Sequence, residues 1–369
     1  MKELDLVYRT MYAELLQRSL DGAFHADFDG AKGNFVTVPV KGRDFWYFDE
    51  KTDAGTKRRY VGPASDPEIQ RRVTEFKAIK DDIRARSKLV STLVREARLL
   101  PPERVTGDVV AALAQAGLFR LRGVLVGTAA YQVYSGYLGV RLPSAAMQTG
   151  DTDLAQSHAL SSSVGDTIPD MLGVLKAVDP TFRAVPHRQD TARTTKYRNS
   201  SRYEVEFLTP NTGSADNDDR ASPMPALGGT SAQPLRFLDY LILEPVHAVL
   251  LHKTGIPVLV PAPERFAVHK LIVAARRQAA GISAGKRDKD IAQAGSLIEA
   301  LEQLRLGSAL AAAFSEAWQR GPGWRDALRL GLGYLPDASR HRLGVMLERG
   351  LADMGEDSAA YAELLGPRP

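Results

Sequence analysis

Val124-Leu125-Val126-Gly127-Thr128, and then, beyond one helical stretch, Asp151-Thr152-Asp153, is the part of the chain on which the fold turns. The apolar triplet reads as a short buried strand. Gly127-Thr128 interrupts it, and residues 129–138 resume at helical period. A strand that passes through glycine into a helix leaves backbone N–H groups and the positive end of the helix dipole facing outward, which suits a phosphate. On a strand, successive side chains alternate, so Asp151 and Asp153 project to one side and Thr152 to the other. Two carboxylates at that spacing suit a hard divalent cation such as Mg²⁺, which prefers oxygen ligands and keeps several waters.

A third carboxylate is expected on the run Arg202-Tyr203-Glu204-Val205-Glu206-Phe207-Leu208. Its alternation puts Glu204 and Glu206 on one face, with Val205 and Phe207 on the other. Glu206 stands where the strand turns apolar and is preferred, with Glu204 as the alternative. These parts occur in the order that metal-assisted nucleotidyl transfer requires.

Val126-Gly127-Thr128, Asp151-Thr152-Asp153 and the acidic strand residue together resemble the signature of the polymerase-β-type nucleotidyltransferase superfamily. The 46–48 and 60–63 hairpin, the helix after it, and Gly139-Val140-Arg141-Leu142 are similar to a poorly characterised bacterial family of that fold, related to toxin-type nucleotidyltransferases. The resemblance spans roughly residues 35–300. Two departures stand out: Thr128 where relatives often carry Gly or Ser, and Glu206 where many carry Asp.

The resemblance implies an α+β fold with a mixed sheet flanked by helices. It implies two Mg²⁺ ions on Asp151, Asp153 and Glu206, and a nucleotide held at Gly127 and Thr128. Lys270, with Arg277 on the same helix face, and the pair Lys289-Asp290 match a helix lysine and a Lys-Asp pair that follow the catalytic domain in toxin-type relatives. They are carried over as candidate nucleotide-binding residues. The implied reaction moves a nucleoside monophosphate from an NTP to a hydroxyl, with an RNA end, a protein side chain or a small molecule as acceptor. A protein that keeps the fold without catalysis is the rival reading.

Composition bounds these readings. The 369 residues suffice for two to three domains, and 44% hydrophobic with 25% charged residues is ordinary for a globular protein. With no cysteine, any metal must sit on oxygen or histidine ligands. His158, His187 and His252 lack a metal-binding spacing and read as incidental. No P-loop motif is present, and Ser161-Ser162-Ser163 lacks a nucleophile elbow and reads as a loop. The N-terminus has no signal pattern and no segment reaches membrane-spanning length, so cytoplasmic residence without membrane association is expected.

Residues 51–105 carry 14 Lys/Arg against 8 Asp/Glu, a net of +6, which suits either an RNA contact or a solvated helix face. Trp46, Tyr47 and Phe48 beside Lys57, Arg58 and Arg59 suit base stacking, although alternation sends half of them toward the following helix.

The expected organisation is a basic hairpin-and-helix extension over 1–118, a catalytic domain over 119–262 and a helical domain over 263–369. Helices are expected over 3–20, 66–98, 107–116, 264–278, 288–304, 307–319 and 339–354. Strand-like runs are expected over 35–40, 44–48, 57–61, 241–243, 248–251 and 256–260. Residues 211–233, rich in Gly, Ser, Asp, Asn and Pro, read as a surface loop.

Overall fold

The triplet 124–126 is a fully buried strand, as its uninterrupted apolar run requires, and the rest of the chain is built around it. The structure, a computed structural model, describes residues 1–28, 31–53, 55–76, 82–147, 150–213, 220–279, 284–357 and 361.

The N-terminal third holds β1 (Lys2–Glu3), α1 (Leu6–Phe28) and an antiparallel meander of β2 (Gly33–Val40), β3 (Arg43–Thr52) and β4 (Gly55–Pro63). Lys41 and Gly42 join β2 to β3 with φ of 49° and 78°, the left-handed pair that a two-residue hairpin needs. The segment then continues as α2 (Pro67–Thr74), α3 (Ile83–Arg95) and α4 (Arg104–Gln115). Asp66 caps α2 by accepting from the N–H groups of Glu68 and Ile69, and Pro67 fills the first helical position. The single helix expected over 66–98 is thus two, α2 and α3, and residues 77–81 lie outside the described residues.

The middle third holds β5 (Val124–Val126), α5 (Gly127–Leu138), β6 (Val140–Arg141) and β7 (Asp151–Ala155). After these come α6 (His158–Ser163), α7 (Met171–Val178), β8 (Arg183–Pro186), β9 (Thr194–Arg198) and β10 (Glu204–Pro210). The serines 161–163, expected in a loop, belong to α6, where the buried Ser161 Oγ accepts from the Ala226 N–H. Next are β11 (Ser222–Pro223), β12 (Ser231–Leu235), α8 (Leu238–Leu241), β13 (Val246–Leu250) and β14 (Ile256–Val260).

The central sheet is mixed. β10 runs parallel to β7, and β5 lies antiparallel on the far side of β7. The other edge of β10 is shared, with β9 antiparallel along its first half and β12 parallel along its second. Residues 211–233 therefore contribute part of β12 rather than a surface loop alone. Ala232 is buried in the β12 ladder, and Met224 and Leu227 are buried in the main core, so the segment is held by both backbone pairing and apolar contacts. Residues 241–243, expected as a strand, follow a helical turn instead. The buried Tyr240 anchors that turn by donating to the Ala313 carbonyl.

The last third is helical: α9 (Pro263–Ala279), α10 (Ala284–Gln303), α11 (Gly307–Gln319), α12 (Pro322–Tyr334) and α13 (Asp337–Asp353). The sequence reading passed over α12, which fits because Gly331 presses against the backbone of α9 at Leu271. The largest buried cluster runs from Tyr47 to Tyr361, so one apolar core joins all three thirds. Among the described residues, no helix is long and apolar enough to cross a membrane.

Candidate active site

The register of β7 against β10 decides what can meet. Glu204 lies opposite Asp151 and Glu206 opposite Asp153, while Thr152 and Val205 point into the core. β9 extends both rows, with Lys196 opposite Glu206 and Arg198 opposite Glu204. One face of the sheet thus carries two charged rows, Asp153–Glu206–Lys196 and Asp151–Glu204–Arg198.

The two glutamates differ in how they are held. Glu204 accepts from Lys196 Nζ at 2.9 Å and from Arg198 Nε at 2.6 Å. Against the pull of burial, these cations bring it below its usual carboxylate range. Glu206 lies 3.6 Å from Lys196, and burial raises it above the usual range. Asp153 feels burial first, then the charges of Asp151 and Glu206, and is pushed up to about 7. Asp153 is therefore the centre of a negative group that its surroundings do not fully neutralise. Glu204 is committed to β9.

Gly127 meets this group directly. It takes the left-handed conformation with φ of 65°, and a Cβ there would stand 2.6 Å from Asp153 Oδ2. Only glycine lets the start of α5 approach so closely. Thr128 faces α10, whose Gln293 lies 3.5 Å from its Oγ1 and also donates to the Ala146 carbonyl at 2.8 Å. We expect Gly127→Ala to reduce activity severely and to cost at least about 1 kcal/mol of stability from backbone strain. Steady-state turnover and thermal melting check both parts, and an unperturbed, active variant would contradict the close approach.

The cationic wall comes from α9 and α10. Lys270 Nζ donates to Asp290 Oδ1 at 2.6 Å, and Arg277 Nε lies 2.7 Å from Asp290 Oδ2. Asp290 thereby fixes both cations. Lys270 in turn acts on Asp153 electrostatically, and Lys289 is near enough to Asp151 to feel its charge. Burial and Lys270 lower Lys289 below the ordinary lysine value, with Asp151 opposing them. His269, next to Lys270, is held down to about 3 by burial and by that lysine, so it is neutral at physiological pH.

The carboxylates, Gly127 and the α9–α10 cations expected from sequence are thus linked in one charged group, and the sequence reading overlooked Lys196 and Arg198. Their signal was the alternation Thr194-Thr195-Lys196-Tyr197-Arg198, in which Thr195 and Tyr197 are buried. The three histidines are engaged elsewhere: His158 with the Pro223 carbonyl, His187 with Gln233, and His252 with Asp108.

The donor set is all carboxylate oxygen, and its central member is raised by burial and by like charge. Both features fit a hard divalent cation. As the side chains stand, no three acidic or histidine groups among the described residues are gathered closely enough to hold an ion, and Lys196 draws Glu206 toward β9.

The aromatic hairpin takes its place in the core. Tyr47 and Phe48 are buried, and Trp46 Nε1 donates to Gln70 on α2. Arg58 binds both oxygens of Asp49, and Arg59 lies 3.9 Å from Glu50, so two of the three cations beside these aromatics are already matched.

Residues 104–319 match the model of a family described as Nucleotidyltransferase, which covers more than half of the chain. Among solved structures, the chain is similar to an antigenic nucleotidyltransferase-like protein from Paracoccidioides brasiliensis. The identity is 17% over 63% of this chain and 95% of that one, with a TM-score of 0.30. No curated protein matches the chain.

Proposed function

This chain belongs to the nucleotidyltransferase family, and on that premise we propose that Asp151, Asp153 and Glu206 form the centre that transfers a nucleoside monophosphate from an NTP to a hydroxyl acceptor. The observation that carries this reading is the β7–β10 register beside Gly127. It sets Glu206 against Asp153 and brings the N-terminus of α5 to the same point.

In this reading Asp151, Asp153 and Glu206 would hold Mg²⁺, two ions by family resemblance. Bound there, Mg²⁺ supplies charge neutralisation at the triphosphate and at the attacking oxygen. Gly127 and Thr128 offer backbone N–H groups at the start of α5 to phosphate oxygens. Lys270, Arg277 and Lys289 line the opposite wall as phosphate counter-charges, with Asp290 positioning the first two. The acceptor oxygen attacks the α-phosphorus, the bond to the β-phosphate breaks, and pyrophosphate leaves. Glu206 is preferred to Glu204 as the third carboxylate because Lys196 and Arg198 already neutralise Glu204.

RNA is the acceptor to test first, given the excess of basic residues over 51–105. The experiment is incubation with each α-labelled NTP, Mg²⁺ and total cellular RNA, alongside the Asp151→Ala, Asp153→Ala double variant. Label entering RNA with the unaltered protein alone establishes transfer and shows the preferred base. Mg²⁺-dependent NTP binding without label transfer moves the acceptor to a protein or small molecule. Neither binding nor transfer would overturn the reading in favour of a chain that keeps the fold without its chemistry.

A further inference from the structure

On the far side of β5, away from the carboxylates, a half-open cavity of about 230 Å³ lies between α1, β4, α2, the 119–122 loop and β14. Its walls are mostly apolar, but three polar groups at one end have no hydrogen-bond or ion-pair partner among the described residues. They are the Arg122 guanidinium, the Tyr60 hydroxyl and the His247 imidazole. All three line the cavity, where Arg122 acts electrostatically on both Tyr60 and His247 and the Asp66 carboxylate acts on the same two in the opposite sense.

Arg122 closes the turn that follows α4, its N–H donating to the Phe119 carbonyl. It sits at φ of 64°, a left-handed conformation that costs a non-glycine residue about 1 kcal/mol. Such strain persists only where the surrounding structure imposes it, and it is concentrated at sites with a task. Here it turns a guanidinium toward a cavity in which nothing pairs with it.

The acids around the cavity are all engaged. Asp66 caps α2, and Glu68 accepts from Arg72 and Gln17. Asp27 lies 3.8 Å from Arg120 Nε, and burial raises it above the usual carboxylate range. Arg120, only 8% exposed, is committed to Asp166 at 2.5 Å and to the Tyr60 carbonyl at 2.6 Å. Arg72 is taken by Asp21. Among the described residues lining the cavity, Arg122 is the cation without a hydrogen-bond or ion-pair partner for its guanidinium, and the nearest opposing charge at this end is the Asp66 carboxylate, held by the N–H groups of α2. Burial, with the Arg122 and Arg72 charges, holds His247 down to about 4, so at physiological pH it is a neutral donor or acceptor.

We propose that this cavity binds a small amphipathic carboxylate. Arg122, Tyr60 and His247 take the anionic head, and Phe24, Ile69 and Phe119 take the apolar body. One unpaired cation beside two neutral polar groups, with the Asp66 carboxylate close by, matches a monoanion better than a dianionic phosphate. The volume admits a medium-chain or aromatic acid and is small for a nucleoside triphosphate. This site does not depend on the assignment of the transfer centre.

The test is calorimetric titration of the full chain with octanoate, octanol and octyl phosphate. The same titrations are made on Arg122→Gly and on Ala23→Trp, which fills the cavity from α1. Glycine suits φ of 64°, so Arg122→Gly should melt no lower than the unaltered protein. That separates lost binding from lost folding. The expected result is saturable octanoate binding, weakened tenfold or more by Arg122→Gly, weaker binding of octanol, and loss of both in Ala23→Trp. Absence of octanoate binding to the unaltered protein would overturn the proposal. Equal octanoate affinity in Arg122→Gly, or tighter binding of octyl phosphate than octanoate, would do the same.

Discussion

Replacing Asp151 and Asp153 together by Ala should reduce nucleotidyl transfer to background and leave the fold intact. Both side chains emerge on the outward face of β7, while Thr152, Leu154 and Ala155 hold the strand in the core. The double variant therefore removes the negative group without opening a cavity. Circular dichroism and the melting transition should match or exceed those of the unaltered protein. Asp153→Asn sharpens the expectation. A carboxylate raised from 3.8 to about 7 destabilises the folded chain when ionised, by at most about 4 kcal/mol. Because the folded value lies above the unfolded one, stability falls as pH rises between those two values and levels off above them. In Mg²⁺-free buffer, Asp153→Asn should melt higher than the unaltered protein, with the gap growing from about pH 4 to about pH 7. A variant that loses activity but gains stability would fit a site whose strain is kept for chemistry. An Asn variant that melts lower across the range would refute the like-charge account.

The second large effect is expected at Asp290. It is 4% exposed and holds both Lys270, itself 9% exposed, and Arg277. Removing one partner of a buried ion pair leaves an uncompensated charge, which costs about 3–5 kcal/mol. Asp290→Ala should therefore lower both stability and turnover strongly. Lys270→Met in the Asp290→Leu background should recover part of the stability, with the half-buried Arg277 left to solvent, but not turnover. Denaturant unfolding of the single and double variants reads the first quantity, and labelled-NTP turnover reads the second. If the double variant recovers turnover as well, the Lys270–Asp290 pair serves the fold alone and has no part in nucleotide binding.

The parts legible from sequence are those fixed by short-range physics. The β5–Gly127–α5 passage follows from an apolar triplet broken by glycine, and the alternation Asp151-Thr152-Asp153 survives intact on β7. The parts that were not legible depend on partners far along the chain. Lys196 and Arg198 become neighbours of the glutamates only through the antiparallel register of β9 on β10, which alternation within β9 alone does not specify. β12 was hidden because its hold on the sheet is backbone hydrogen bonding around small residues such as Ala232. The helical turn at 238–241 was misread because a short apolar run carries no period of its own, and Tyr240 fixes it through a contact with α11. The expectation of Glu206 came from where the strand turns apolar, whereas the ground on which it is proposed is one that the sequence did not show, the engagement of Glu204 by β9.

The order in which these charges lie along the chain has a consequence for how the protein is made. Asp151, Asp153, Glu204 and Glu206 leave the ribosome before Lys270, Arg277 and Lys289 are synthesised. In chain order, the acidic residues therefore precede every cation of this group except those of β9. They gain their cationic wall when α10 docks, through Gln293, onto the Ala146 carbonyl and beside Thr128. A nascent chain, or one cut short before residue 263, has the carboxylates without their counter-charges. On the proposed function, competence to handle a triphosphate would arrive with the last third of translation rather than with the sheet that carries the acids.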